Sequence, residues 1–438
     1  MKKVKRKNSL HPLSLISLSA LALTIVFAYL GYITSQYNFF GYLSSTPGAL
    51  DDLINPVISA ATYKEALFSD EILNLQAFNS PFTPLQYFYF RSLDVFYFRP
   101  FDQAFGITNE QTINFLSLVI VCLYLLVFML SLRKLSMVMP YQKLSFLSGC
   151  FLLAAPPVLF AASRGNAVLL MLSFFTFLLT SIQTKRFYLA SAIIGFLAAF
   201  QFPYAVFSLL ILCMRSRVRC LMVFCTSLIT FFFIPLAFLK SGIQEGIKTM
   251  IELNARWYET YVLGHEGLLH GVSLLGAEKI FVFTVGETAF SSFLYKSYLF
   301  QIILLSLILL FVSQWRVFLQ TKSRLFRNST ISFEVNSLVL TLVIIFIIYP
   351  QVSAAYKQTF LIPALIFAGP RMISKIFQTT FHRIILVSSL TLFVFPHWSL
   401  IEYAPGVTVD SVLKPIVLLW FLFRLVRVSP PIRLHTDF

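Results

Sequence analysis

A chain of 438 residues that is 58% hydrophobic and only 12% charged, with a mean hydropathy of +0.80, is no ordinary soluble protein; there the charged fraction is about a quarter. The net charge of +16 would suit a nucleic-acid binder, but the basic residues fall in short clusters between apolar runs and form no single patch. Composition therefore predicts an all-α polytopic membrane protein, with residues 1–438 as one transmembrane domain.

Lys2, Lys3, Lys5, Arg6 and Lys7 precede a first apolar run, Leu13 to Thr34. The run exceeds the roughly 7–15 residues of a signal-peptide core, and Tyr29 to Tyr37 offers no clear small-residue cleavage site, so a retained first helix is expected. Further runs follow at Ile113 to Leu132, Leu144 to Ala162, Ala167 to Ile182, Cys220 to Leu239 and Leu299 to Val312, with others toward the C-terminus. The longest approach the roughly 20 residues that a spanning helix needs, and helices are expected because lipid satisfies no open backbone group. Basic clusters at Arg133/Lys134, Lys185/Arg186, Arg215/Arg217/Arg219, Arg316 to Arg327, Arg371/Lys375/Arg383 and Arg424/Arg427 fit the cytoplasmic side together with both termini. That arrangement calls for about 12 helices (range roughly 10–13). It leaves all but Glu334 and Asp437 of the 18 acidic residues outside.

Three segments are too short for two ordinary spans and are expected as short paired helices. They are Phe187 to Met214, turning at Gln201-Phe202-Pro203; Ser337 to Ala368, broken at Pro350; and Ile384 to Val426, broken around Pro405 and Gly406. Two outer loops are long, 35–112 and 240–291. The first is rich in aromatics and leucine, and interfacial helices are expected there. The five cysteines lie in or beside apolar runs and read as small buried hydrophobes.

Candidate chemistry follows the same order. Asp51 and Asp52 stand just beyond the first span, where a carboxylate beside an apolar wall can serve as general base; a solvated pair at a helix N-terminus is the plainer reading. Phe82-Thr83-Pro84-Leu85 punctuates the start of an aromatic stretch. Arg164 and Asn166 share a short connection between apolar runs, where a guanidinium and a helix N-terminus suit a phosphate, and Asn166 is placed to cap the next helix. Lys357, beside Tyr356, is an ionisable residue marooned between apolar runs, a candidate by default. In the second loop Arg256 is a further cation, while His265, Glu266 and His270 lack the H-E-x-x-H spacing of a zinc site. No metal ligand set is assigned.

In order, these pieces resemble integral-membrane glycosyltransferases of the GT-C superfamily, family-87-like, which use polyprenyl-phosphate mannose. The resemblance rests on Asp51/Asp52 after helix one, on Phe82-Thr83-Pro84-Leu85 and Gly165-Asn166, on Gln201-Phe202-Pro203-Tyr204, on Ser273-Leu274, and on Pro350 to Pro363. Thr83 replaces a proline, Gln201 a lysine, and Lys357 falls near a position often held by histidine. The resemblance implies an inverting transfer of a hexose, mannose included, from a polyprenyl-phosphate donor to an extracytoplasmic lipid or glycan acceptor at a bacterial plasma membrane. It implies Asp52 or Asp51 as base, and Arg164, Asn166, Lys357, Arg256, Tyr356, Gln201 and His265 as substrate-binding residues. Phe82, Pro84 and Leu85 shape the turn. No cofactor is expected, with divalent metal left open, and no nucleic-acid partner. Two other classes fit the same composition: a carrier or flippase for a lipid-linked or small substrate, and a polysaccharide polymerase or ligase.

Overall fold

The computed structural model describes residues 83–101, 110–139, 142–153, 155–163, 165–214, 216–237, 242–257, 333–348, 355–376, 402–404, 407–408 and 415–422, with Leu18, Ala22, Ile25, Leu53, Val57 and Leu425. Almost all are helical. Asp51, Asp52, Phe82, Arg164 and His265 lie outside this described set.

Helix α1, Pro84–Leu93, starts where its sequence dictates. Thr83 is the N-cap, proline occupies the first turn, and the Thr83 hydroxyl accepts from the Gln86 amide while the Thr83 amide donates to Gln86 Oε1. This reciprocal pair satisfies two amides that the first turn would otherwise leave open. The helix runs into a wider π segment, Asp94–Phe98.

Helix α2, Glu110–Val138, buries Leu116, Ile120, Tyr124, Phe128 and Leu132 at four-residue intervals. Leu118, Leu123, Leu126 and Leu130 point outward. The expected run Leu144 to Ala162 is divided into α3, Gln142–Leu152, and α4, Pro156–Ser163. The adjacent prolines Pro156 and Pro157 supply no amide hydrogens and fit best in a first turn, where those amides would be unpaired anyway, and a new helix begins there.

A Schellman turn closes α4: the Gly165 amide donates to the Ala162 carbonyl at 3.0 Å and the Asn166 amide to Ala161 at 2.9 Å. Gly165 takes φ +65°, a left-handed conformation that favours glycine. Helix α5, Val168–Gln183, then returns against α2. Its end repeats the device with Lys185 in the left-handed position.

Helix α6, Phe187–Phe200, stops at Gln201, whose extended backbone turns the chain into a twelve-residue 3-10 segment, Phe202–Cys213. The short paired helices and their break at Gln201 are as the sequence suggests. Helix α7, Arg217–Ala237, lies along α6 at close range. A Cβ on Gly195 would come within 2.7 Å of both the Phe224 carbonyl and Ser227 Cβ, and Ser227 donates to the Ala192 carbonyl at 2.8 Å. Small residues bring the two backbones together, as in helix pairs that pack without water to drive them.

Helix α8, Gly242–Trp257, is amphipathic; α9 is Phe333–Ile348, followed by a second 3-10 segment, Ala355–Phe360, and by α10, Leu361–Ile376. Near the C-terminus Glu402–Ala404 pairs antiparallel with Val407–Thr408, a small departure from the all-helical expectation.

Two described helices are long and apolar enough to cross a membrane, Phe115–Val138 and Arg217–Ala237. Only 17% of the second window is buried, and it exposes Leu221, Met222, Ile229 and Ile234. A soluble core helix would be mostly covered. Such bare apolar rows suit hydrocarbon surroundings, where leucine and lipid chains are alike.

Candidate functional site

Two of the segments singled out in the sequence, the stretch after Gln201 and the Lys357 segment, meet around one aromatic cluster, and a third, the start of α1, is tied to the residue directly before Gln201. The first contact is local in space and remote in sequence: Thr83, already capping α1, donates its hydroxyl hydrogen to the Phe200 carbonyl at 2.9 Å. The start of α1 is thus tied to the last residue of α6, directly before Gln201. Pro84 and Leu85 are buried at this junction, and Tyr89 meets the Phe200 ring edge-on at 5.9 Å.

Beyond Gln201 the 3-10 segment carries Tyr204 and Phe207 inward, both fully buried. Tyr204 stacks on Phe346 of α9 with centroids 4.7 Å apart, and Phe360 packs against both rings at 5.6 and 5.0 Å. Phe175 of α5 closes the cluster through Phe207 and Phe360. Four separate elements therefore hold one set of rings.

Lys357 stands at this cluster. It is only 7% exposed, and its Nζ lies 5.6 Å from the centroid of Phe346, the ring on which Tyr204 stacks. In a 3-10 helix residues three apart eclipse, so Lys357 and Phe360 share the face that meets these rings. An ammonium over an aromatic face is attracted by the ring quadrupole, and more strongly when water is excluded. Its next neighbours, Gln358 and Thr359, are buried too.

Asn166 reaches the same neighbourhood through its helices. Its Oδ1 accepts from the Val168 amide at 2.8 Å, so it caps α5 as expected. Helices α4 and α5, on either side of the turn, both pack against the Lys357 segment. Gln201 is half-buried, with its side-chain oxygen shielded and without a hydrogen-bond partner among the described residues. Leu53 and Val57, the described residues next after the aspartate pair, are helical and buried in the main core. Arg256 lies in the last turn of α8 and Tyr356 in the second 3-10 segment; their side chains, like Asp51, Asp52, Arg164 and His265, lie outside the described residues.

Sequence reasoning passed over two polar groups. Asp94 opens the π segment with its side chain 7% exposed, and one oxygen, Oδ2, takes Arg91 at 2.7 Å and Arg99 at 2.6 Å. Its signal was one acid flanked by two arginines in an aromatic stretch. Gln358 was overlooked beside the more conspicuous Lys357. Among the described residues no three His, Cys, Asp or Glu side chains group as a metal site.

No family model matches the chain, and no curated protein matches it in sequence. The reading of the site therefore rests on its own chemistry.

Proposed function

We propose that the protein is a multi-pass membrane glycosyltransferase that moves a hexose from a polyprenyl-phosphate donor to a lipid or glycan acceptor on the extracytoplasmic face. Its carrying observation is that the stretch after Gln201 and the Lys357 segment meet at one buried cluster of rings, while the α1 cap is bonded to Phe200, the residue directly before Gln201. These stretches are separated by more than a hundred residues each, and each carries a piece of the GT-C-like pattern. The outward apolar rows of α2 and α7 support the membrane setting.

On this reading Lys357 supplies positive charge to the donor phosphate, where low dielectric strengthens the attraction. Arg164, Arg256 and the helix start at Asn166 add further anion-binding groups. Asp52, with Asp51 as its alternative, takes the proton from an acceptor hydroxyl. The acceptor oxygen attacks the anomeric carbon, and a new glycosidic C–O bond forms as the bond from that carbon to the phosphate oxygen breaks. The bonding pair leaves with the phosphate, and attack from the opposite face inverts the centre. Phosphate leaves readily, so one base and an anion clamp suffice. Incubation of the purified protein with labelled polyprenyl-phosphate hexoses and a lipid extract tests it directly. Transfer of label to a new lipid or glycan supports the reading, and no transfer from any donor overturns it.

One observation also favours a carrier: a cation buried among helices is how an anionic substrate site inside a membrane is built. Movement of intact polyprenyl-phosphate sugar across vesicles, with no covalent transfer, would select that reading.

A further inference from the structure

Gln358 is 3% exposed, and neither the oxygen nor the nitrogen of its side-chain amide meets a hydrogen-bond partner among the described residues. An amide left unmet in an apolar interior is unfavourable, and methionine, of nearly the same shape, would fill the space without that penalty. A carboxamide offers an acceptor and two donors side by side. That arrangement matches the hydroxyls on neighbouring carbons of a pyranose: one donates to Oε1 while the next accepts from Nε2. With three residues per turn, Gln358 lies a third of a turn from the face that Lys357 shares with Phe360. Consecutive residues of one short segment thus present a cation and an amide, the two chemistries of a sugar phosphate. Gln201, at the junction with α6, holds a second shielded amide oxygen without a partner among the described residues.

We propose that Gln358 reads the sugar of the donor, its amide bonding two adjacent hydroxyls of the hexose. This rests on the lipid-phosphate reading above and adds a specificity-determining residue to it.

The test uses the full chain in lipid nanodiscs. Binding is measured for short-chain polyprenyl phosphate without sugar and for the same lipid phosphate bearing mannose, glucose or galactose. The native protein should bind the best hexosyl phosphate about tenfold tighter than the sugar-free lipid. Gln358→Met should bring the two to parity with sugar-free binding unchanged, and should melt at or above the native temperature. Gln358→Asn, which keeps an amide but withdraws it by one carbon, should also lose most of the preference. A preference retained in Gln358→Met overturns the proposal, and so does a lower melting temperature in that variant, because the amide would then serve the fold. A native protein that binds the sugar-free lipid with no hexose preference removes the role of Gln358 and leaves the lipid-phosphate reading standing. Binding of neither lipid overturns both.

Discussion

Thr83 donates its hydroxyl hydrogen to the carbonyl of Phe200 across 117 residues of chain, at 2.9 Å. The same oxygen caps α1, so one side chain fixes both where that helix begins and where α6 ends. Thr83→Val should therefore lower stability by about 1–2 kcal/mol, the combined loss of a cap and a buried hydrogen bond. Thr83→Ser should recover most of it. Thermal melting in detergent reads the difference, and equal melting of the valine and serine variants would remove this role.

Lys357 is buried against aromatic rings, where a charge is costly to the fold and useful to a site. Lys357→Met should leave melting unchanged or raised while reducing transfer at least about 100-fold. Full activity in that variant would show that the ammonium does not hold the donor.

Gly195 lies where the backbones of α6 and α7 come close together. The atoms that a Cβ would strike include the backbone oxygen of Phe224, which cannot swing aside as a flexible side chain can. Gly195→Ala should destabilise by about 1–3 kcal/mol through separation of the two helices. Unchanged melting would mean that the pair adjusts freely.

Much of the helical layout was legible because apolar runs and punctuation residues act locally. Gln201-Phe202-Pro203 signalled the break between α6 and the 3-10 segment, and Asn166 its cap, because proline chemistry and a short polar side chain act on adjacent backbone. The split of Leu144 to Ala162 was missed although Pro156 and Pro157 are plain in the sequence; hydropathy averages across them. Lys357 stood out as a charge among apolar residues. Its neighbours did not: Tyr204, Phe346 and Phe360 come from different elements, and phenylalanine, at 49 copies, carries no positional signal. Gln358 is identified only by the absence of a partner among the described residues, which no sequence pattern records.

Asp94 gathers Arg91 and Arg99 onto one oxygen where α1 gives way to the π segment. Asp94→Asn removes the charge that both guanidiniums share. With Arg99 38% exposed, solvent offsets part of the loss, and a decrease of about 1–2 kcal/mol is expected. Hydrogen exchange should quicken first in Asp94–Phe98, and unaltered exchange there would leave the pair without structural effect.

The proposed chemistry is tested most directly by transfer of labelled hexose from polyprenyl phosphate by the native protein, Asp52→Asn and Asp51→Asn, each shown to be folded. Native transfer, with a loss of at least about 100-fold in one of the two variants, is the expected result. Full activity in both, or intact donor recovered from the native protein, would contradict it.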